Sequence, residues 1–220
     1  MLRSWPWGRA YGRGVRVVLL HAVPLTGAMW ADQLAWLPRS TLAPTLYDKG
    51  DSISEWADAV LAAAGDDDLF VVGASVGGFC ALEVARLAPD RVRAVVLVGS
   101  KAGIRRDGVA RETALATLEE RGFEAAWKKF WRPLFGPDAS NEVIERAHAI
   151  GKSVPLDHLA CGVRAFFDRS DLTEFARRWP GKLVAISGAH DGTPTWASSE
   201  QVAREGVVES RHRPRRDVES

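Results

Sequence analysis

Residues 69–90 leave this chain few options. Leu69 to Ala74 (LFVVGA) is a short apolar run, which suits a strand buried on both faces. Val76 to Ala88 then reads as a helix that Pro89-Asp90 stops. A chain that turns from strand to helix across one residue tolerates only small neighbours, and Gly73, Gly77 and Gly78 flank that turn. The string Gly73-Ala74-Ser75-Val76-Gly77 fits G-x-S-x-G, with the buried strand before it and the helix after it that give the pattern meaning. Such a turn lifts the Ser75 hydroxyl above the sheet and aims it at a helix N-terminus. The positive end of that helix favours an oxyanion nearby. A phosphate-binding loop is disfavoured, because no G-x-x-x-x-G-K-[ST] string occurs.

Further strands read at Val15 to His21 (VRVVLLH), Val92 to Gly99 (VRAVVLVG), Leu183 to Ser187 (LVAIS) and Val207-Val208-Glu209. Leu42 to Tyr47 is a weaker strand, since Pro44 lacks an N–H. Helices are expected over Ala28 to Leu37, with Trp30, Leu34 and Leu37 on one side, and from Ser54, with Trp56, Val60 and Leu61 on its apolar face. Asp66-Asp67-Asp68 is expected to end the latter in a solvated turn. Alternating strands and helices imply a parallel sheet with right-handed crossovers. Between Ile104 and Trp179 the pattern changes to helices alone: Glu112 to Glu120, Phe123 to Phe135, Asn141 to Ile150 and Leu156 to Phe167. Trp196 to Arg204 reads as one more helix. The expected organisation is an α/β core from residues 1–103 and 180–220, with a helical insert over 104–179.

Composition narrows the function classes. A 220-residue chain that is 46% hydrophobic and 26% charged is globular, not disordered. The net charge of +1 and scattered arginines argue against phosphate-driven nucleic-acid binding. The one basic cluster, Arg211 to Arg216, reads as a solvated tail. Two cysteines, Cys80 and Cys161, make no disulfide framework and no metal-binding CxxC pair, which favours a reducing, cytoplasmic setting. The first residues lack the apolar core of a signal peptide, and no apolar run is long enough to cross a bilayer. A small-molecule substrate is expected, with no metal, organic cofactor, nucleic acid or membrane as partner.

An exposed serine needs a base, and five histidines are available. His21 ends the first strong strand and reads as structural; His148 and His158 fall in the insert. His212 lies just past the last strand, at the carboxyl edge that carries the site in parallel α/β sheets. His190, beside Asp191 on the loop after Leu183 to Ser187, is the weaker rival. Asp191 follows a strand at the same edge and suits the carboxylate that orients the base, whereas Asp168 and Asp171 belong to the insert. The order Ser75, Asp191, His212 results. Backbone N–H groups of Val76 and of Val23 are the expected oxyanion donors; Pro24 has no N–H to give. Phe123, Trp127, Phe130, Trp131, Leu134 and Phe135 recur at helical spacing and mainly pack the insert on the core. Trp127 and Trp131 from that stripe, with Trp30, are the candidates to line a substrate pocket.

The segments VVLLHAVPLTGAMW, FVVGASVGGFCALEVARLAPDRVRAVVLVGS, LVAISGAHDGTP and VVESRH together resemble the α/β-hydrolase superfamily over nearly the whole chain. Within it the chain is similar to small, cap-bearing bacterial esterases, enol-lactone hydrolases and proline-iminopeptidase-like proteins. The resemblance implies an α/β-hydrolase fold, a mostly parallel sheet flanked by helices, with a helical cap inserted before the last two strands. It implies Ser75 as nucleophile, Asp191 as acid, His212 as base, and an acyl-enzyme route for a small, partly apolar ester or lactone. The same three residues serve C–C bond, amide and acyl-transfer chemistry in this superfamily, and a non-catalytic ligand-binding protein is the other class to separate. The chain departs from the family pattern at Ala22 and at Arg211, where glycines are usual, and in its short stretch after His212.

Overall fold

The computed structural model describes residues 14–104, 107–188 and 190–191 in full, and residues 207–210 as backbone. Five strands, β1 (Val15–Leu20), β2 (Asp68–Ala74), β3 (Val92–Val98), β4 (Lys182–Gly188) and β5 (Val207–Ser210), form one sheet in the order β1-β2-β3-β4-β5. Every neighbouring pair is parallel. Parallel strands all end at one edge of the sheet, so Ala74, Gly188 and Ser210 lie along the same edge. The register makes this concrete: Ala74 pairs with Val98, Val98 with Ile186, and Gly188 with Ser210.

Side-chain alternation divides the strands between two faces. Val18 and Leu20 of β1 join Leu69 and Val71 of β2 on the face covered by helices α2 (Ile53–Ala64) and α3 (Val76–Leu87). Leu19, with Val17, Val72 and Ala74, faces the other way against Trp30, Met29, Leu34 and Leu37. Helix α3 has ten buried residues of its twelve, because it lies between the sheet and α2. Helix α2 begins at Ser52, whose Oγ accepts the Glu55 N–H at 3.2 Å while the Glu55 carboxylate accepts the Asp51 N–H at 2.8 Å. These reciprocal bonds satisfy donors that a helix start otherwise leaves bare.

Three local expectations are corrected. Leu42 to Tyr47 does not form a strand. Leu42 makes a single parallel bridge to Val18; beyond it Pro44 has no N–H and the Leu46 N–H is committed to a histidine ring. Ala28 to Leu37 is not one helix. It is a 3₁₀ turn, Gly27–Trp30, capped by Thr26, followed by a single α-turn, α1 (Ala31–Leu34). Asp66 to Asp68 is only partly solvated. Asp68 starts β2 fully buried and takes both oxygens to Arg93 Nη2 at 3.1 Å, and Asp67 pairs with Arg16 at 2.7 Å.

Between β3 and β4 the chain is helical: α4 (Gly108–Ala126), a π-helical turn Trp127–Trp131, α5 (Asn141–Lys152), α6 (Leu156–Asp168) and α7 (Thr173–Arg178). Gly122 breaks α4 with φ 74°, a conformation that a side chain would strain. The segment has no core of its own. Leu118, Phe123, Trp127 and Leu159 belong to the same apolar cluster as β1 to β3 and α3. Arg146 of α5 also ties it to Asp32 of α1 at 2.8 Å.

Candidate active site

Ser75 sits between β2 and α3 with φ 51° and ψ −116°, the one non-glycine residue at positive φ among the described residues. Such a conformation costs on the order of 1–3 kcal/mol and persists only where its surroundings hold it. Three glycines show how. A Cβ on Gly73 would stand 2.1 Å from the Gly77 carbonyl oxygen, and one on Gly77 would stand 2.5 Å from the Leu20 oxygen. A Cβ on Gly78 would meet Ser100 Oγ at 2.3 Å. The Ser75 carbonyl in turn accepts the Ser100 hydroxyl at 2.7 Å and the Gly78 N–H at 3.0 Å. The Ser75 N–H donates to Val98 at 3.0 Å.

Opposite the elbow runs the loop after β1. His21 is fully buried, and its role there is structural. Its Nε2 accepts the Leu46 N–H at 2.9 Å, so Nδ1 must carry the proton that bonds the Ala22 carbonyl at 3.1 Å. Burial pushes its pKa down to about 4, against the smaller opposing effects of that carbonyl and of Asp48. In the loop, the Ala22 N–H goes to Met29 Sδ at 3.4 Å and the Leu25 N–H to the Ala22 carbonyl at 2.7 Å. Pro24 has none, so within residues 22–25 the Val23 N–H is the one left unengaged. Val76, first residue of α3, belongs to the helix N-terminal donors that have no partner within the helix.

Ser75 and Val23 share a cavity of about 270 Å³ whose other walls include Phe130, Trp131, Val163 and Phe166. Trp131 thus lines the same cavity as Ser75. Trp127 lines the adjoining space beside Val23 and Trp131, and packs edge-on against His148 with ring centroids 5.1 Å apart. Trp30 is elsewhere: it is buried with Leu19 and Ala74 and is not among the residues lining either space. Val163, Phe166 and Phe167 of α6 were not singled out from the sequence. Their apolar spacing along α6 was the available signal, but nothing local shows that this face meets Ser75.

Asp191 follows β4 at the carboxyl edge. Its Oδ2 accepts the Gly188 N–H at 2.7 Å and its own N–H returns to the Gly188 carbonyl at 3.1 Å, a closed turn that leaves the residue exposed. Neighbouring His190 points Nε2 toward Asp138 at 3.8 Å and is well exposed. His212 lies outside the described residues; β5 ends two positions before it, with Ser210 in register with Gly188. Among the described residues no cluster of His, Cys, Asp or Glu could hold a metal ion, and no helix is long and apolar enough to cross a membrane.

A parallel sheet and a strained serine between strand and helix, opening onto an apolar cavity, define a class. The chain belongs to the α/β-hydrolase fold family, whose model matches residues 15–146. Over 92 residues it is 34% identical to a pimeloyl-[acyl-carrier protein] methyl ester esterase of Aromatoleum aromaticum; the match covers 38% of this chain and 36% of that protein. The chain thus spans about a third of the length of the curated relative it matches. Among solved structures it is similar to a thermophilic esterase from Thermogutta terrifontis, with a TM-score of 0.75 and 22% identity over 87% of this chain and 78% of that one. It is equally similar to the enol-lactonase of Burkholderia xenovorans LB400, with a TM-score of 0.75 and 21% identity over 89% and 80%.

Proposed function

We propose that this chain is a serine hydrolase that cleaves a small, partly apolar ester or lactone through an acyl-enzyme on Ser75. The observation that carries the reading is the strained Ser75 backbone opening onto an apolar cavity at a helix N-terminus. Strain of that kind is retained where it serves a site. In this reading His212 takes the Ser75 proton as the alkoxide attacks the carbonyl carbon. The N–H groups of Val23 and Val76 bind the developing oxyanion. The tetrahedral adduct collapses as His212 returns the proton to the leaving alcohol. Water then attacks the acyl-enzyme with His212 again as base, which releases the acid and restores Ser75. Asp191 holds the imidazole in its tautomer and stabilises its charged form. The helices over residues 104–179 act as a cap, with Phe130, Trp131 and Phe166 excluding water from the reacting carbonyl.

The names of the related proteins support the same chemistry: ester and enol-lactone hydrolysis both break an acyl–oxygen bond. A carboxylate nucleophile, as needed for dehalogenase or epoxide-opening chemistry, is disfavoured by the serine at position 75. The test is covalent labelling with a fluorophosphonate probe. Wild-type protein is expected to label on Ser75, and Ser75→Ala to remain unlabelled. Folded wild-type protein that stays unlabelled overturns the proposal in favour of a non-catalytic binding protein.

A further inference from the structure

The apolar cavity at Ser75 has a second lobe of about 430 Å³, lined by Ser75, Gly99, Ser100, Lys101, Phe166 and Arg169. Arg169 is unusual for an arginine. It is only 7% exposed, immediately after α6, and its guanidinium lies over two rings, 3.9 Å from the Phe166 centroid and 4.3 Å from that of Phe79. One Nη1–H bonds the Phe166 carbonyl, one of the acceptors that the end of α6 leaves free. Its Nε is buried with no hydrogen-bond partner. No carboxylate among the described residues pairs with it. Glu83 is held by Arg86 at 2.7 Å and Asp168 by Arg111 at 2.8 Å. Asp171 accepts the Thr173 N–H at 2.9 Å, and Asp107 caps α4 by accepting the Ala110 N–H at 2.9 Å.

Arginine is almost never buried without a counter-charge, because losing water around a cation is expensive. Two aromatic faces offset part of that cost and hold the planar group rigid. They do nothing for its N–H donors, which lie in the plane of the guanidinium. Burial lowers the pKa only to about 10, so the group stays charged at neutral pH. A rigid, charged, under-bonded fork in the wall of a cavity that also contains the nucleophile matches one kind of ligand group.

We infer that Arg169 is the recognition group for an anionic end of the substrate, a carboxylate carried by the portion of the ester that fills the second lobe. Half-buried Lys101 on the same wall adds positive potential. The substrate class is then an ester with a charged terminus separated by an apolar spacer from the scissile carbonyl. Phe166 and Phe167, which line both lobes, face the spacer.

The inference rests on the proposed function only for the word substrate, and its test is a binding measurement. Ser75→Ala protein is titrated calorimetrically with monoethyl adipate and with ethyl hexanoate, which share an ethyl ester and a six-carbon chain but differ in the terminal charge. The half-ester is expected to bind about ten- to a hundredfold more tightly, the range for a hydrogen-bonded charge. Arg169→Gln in the same background is expected to bring the two ligands within about twofold, and Arg169→Lys to keep part of the preference. Equal binding of the two esters by Ser75→Ala protein overturns the inference, and so does a preference that survives Arg169→Gln. If Arg169→Gln does not fold, the Ser75→Ala comparison and the Arg169→Lys variant decide, since lysine retains the charge without the bidentate fork. Hydrolysis of p-nitrophenyl acetate by wild-type protein is scored separately. Its absence counts against the hydrolase reading and leaves the charge preference standing or falling by itself.

Discussion

Acid should destabilise this protein through His21 in a measurable window. The neutral ring accepts from Leu46 through Nε2 and donates to Ala22 through Nδ1. Protonation would place an N–H at Nε2 against the Leu46 N–H, two donors face to face in a fully buried site. Burial pushes the folded pKa from 6.5 to about 4. An unfolded chain takes up the proton near 6.5, so the contribution is complete above that pH and is lost as the pH falls toward 4. The full span is worth about 3 kcal/mol, of which about 2 kcal/mol is gone by pH 5.

Urea unfolding followed by tryptophan fluorescence at pH 8, 6.5, 5 and 4 isolates the effect when wild type is compared with His21→Gln. Carboxylates titrate in both proteins and cancel in the difference. Glutamine keeps an acceptor for Leu46 but has no proton to take up, so the variant starts about 1–2 kcal/mol less stable at pH 8. The gap is expected to close or invert by pH 4. Parallel loss of stability in the two proteins between pH 6.5 and 4 would refute the reasoning and mean that the ring is already hydrated or charged in the fold.

Other substitutions test the site from different sides. Gly77→Ala drives a Cβ to 2.5 Å from the Leu20 oxygen and 2.7 Å from the His21 oxygen, both backbone, and is expected to cost about 3 kcal/mol or more in urea unfolding. Gly108→Ala meets nothing within 4 Å at the first turn of α4 and should be neutral or slightly stabilising, by at most about 1 kcal/mol. His212→Ala should abolish turnover of an activated aryl ester while His190→Ala keeps most of it; the reverse ranking moves the base to His190. Trp131→Ala, which opens the wall beside Ser75, should raise KM for aryl esters several-fold more than for acetate esters of small alcohols, and a uniform loss across both would argue that the ring only supports the fold.

The sheet was legible because each buried strand is a short β-branched run between turn residues, and α2 to α6 because their apolar spacing has a helical period. Expectation failed where one contact from afar outweighs local preference. Leu42 to Tyr47 has strand-like residues, yet the Leu46 N–H is taken by His21, and a strand needs that donor. Asp68 reads as a turn residue beside Asp66 and Asp67, but Arg93 on the next strand makes its burial tolerable. The elbow serine was legible because steric demand writes itself as glycine at fixed spacing. Arg169 was not, since its setting depends on Phe79 of α3 meeting α6, a pairing with no local signature.

The glycines explain more than the turn. Gly77 rests against the carbonyls of Leu20 and His21, the residues that lead into the loop after β1. Gly78 rests against Ser100, whose hydroxyl binds the Ser75 carbonyl. One helical turn thus fixes the serine backbone to the loop on one side and to the exit of β3 on the other. A side chain at either position would meet those atoms and press the loop and the serine apart. Oxyanion stabilisation depends on donor placement. A folded elbow-glycine variant should therefore lose turnover far beyond its loss of stability, whereas a variant whose activity tracks its folded fraction would show that the contacts serve the fold alone.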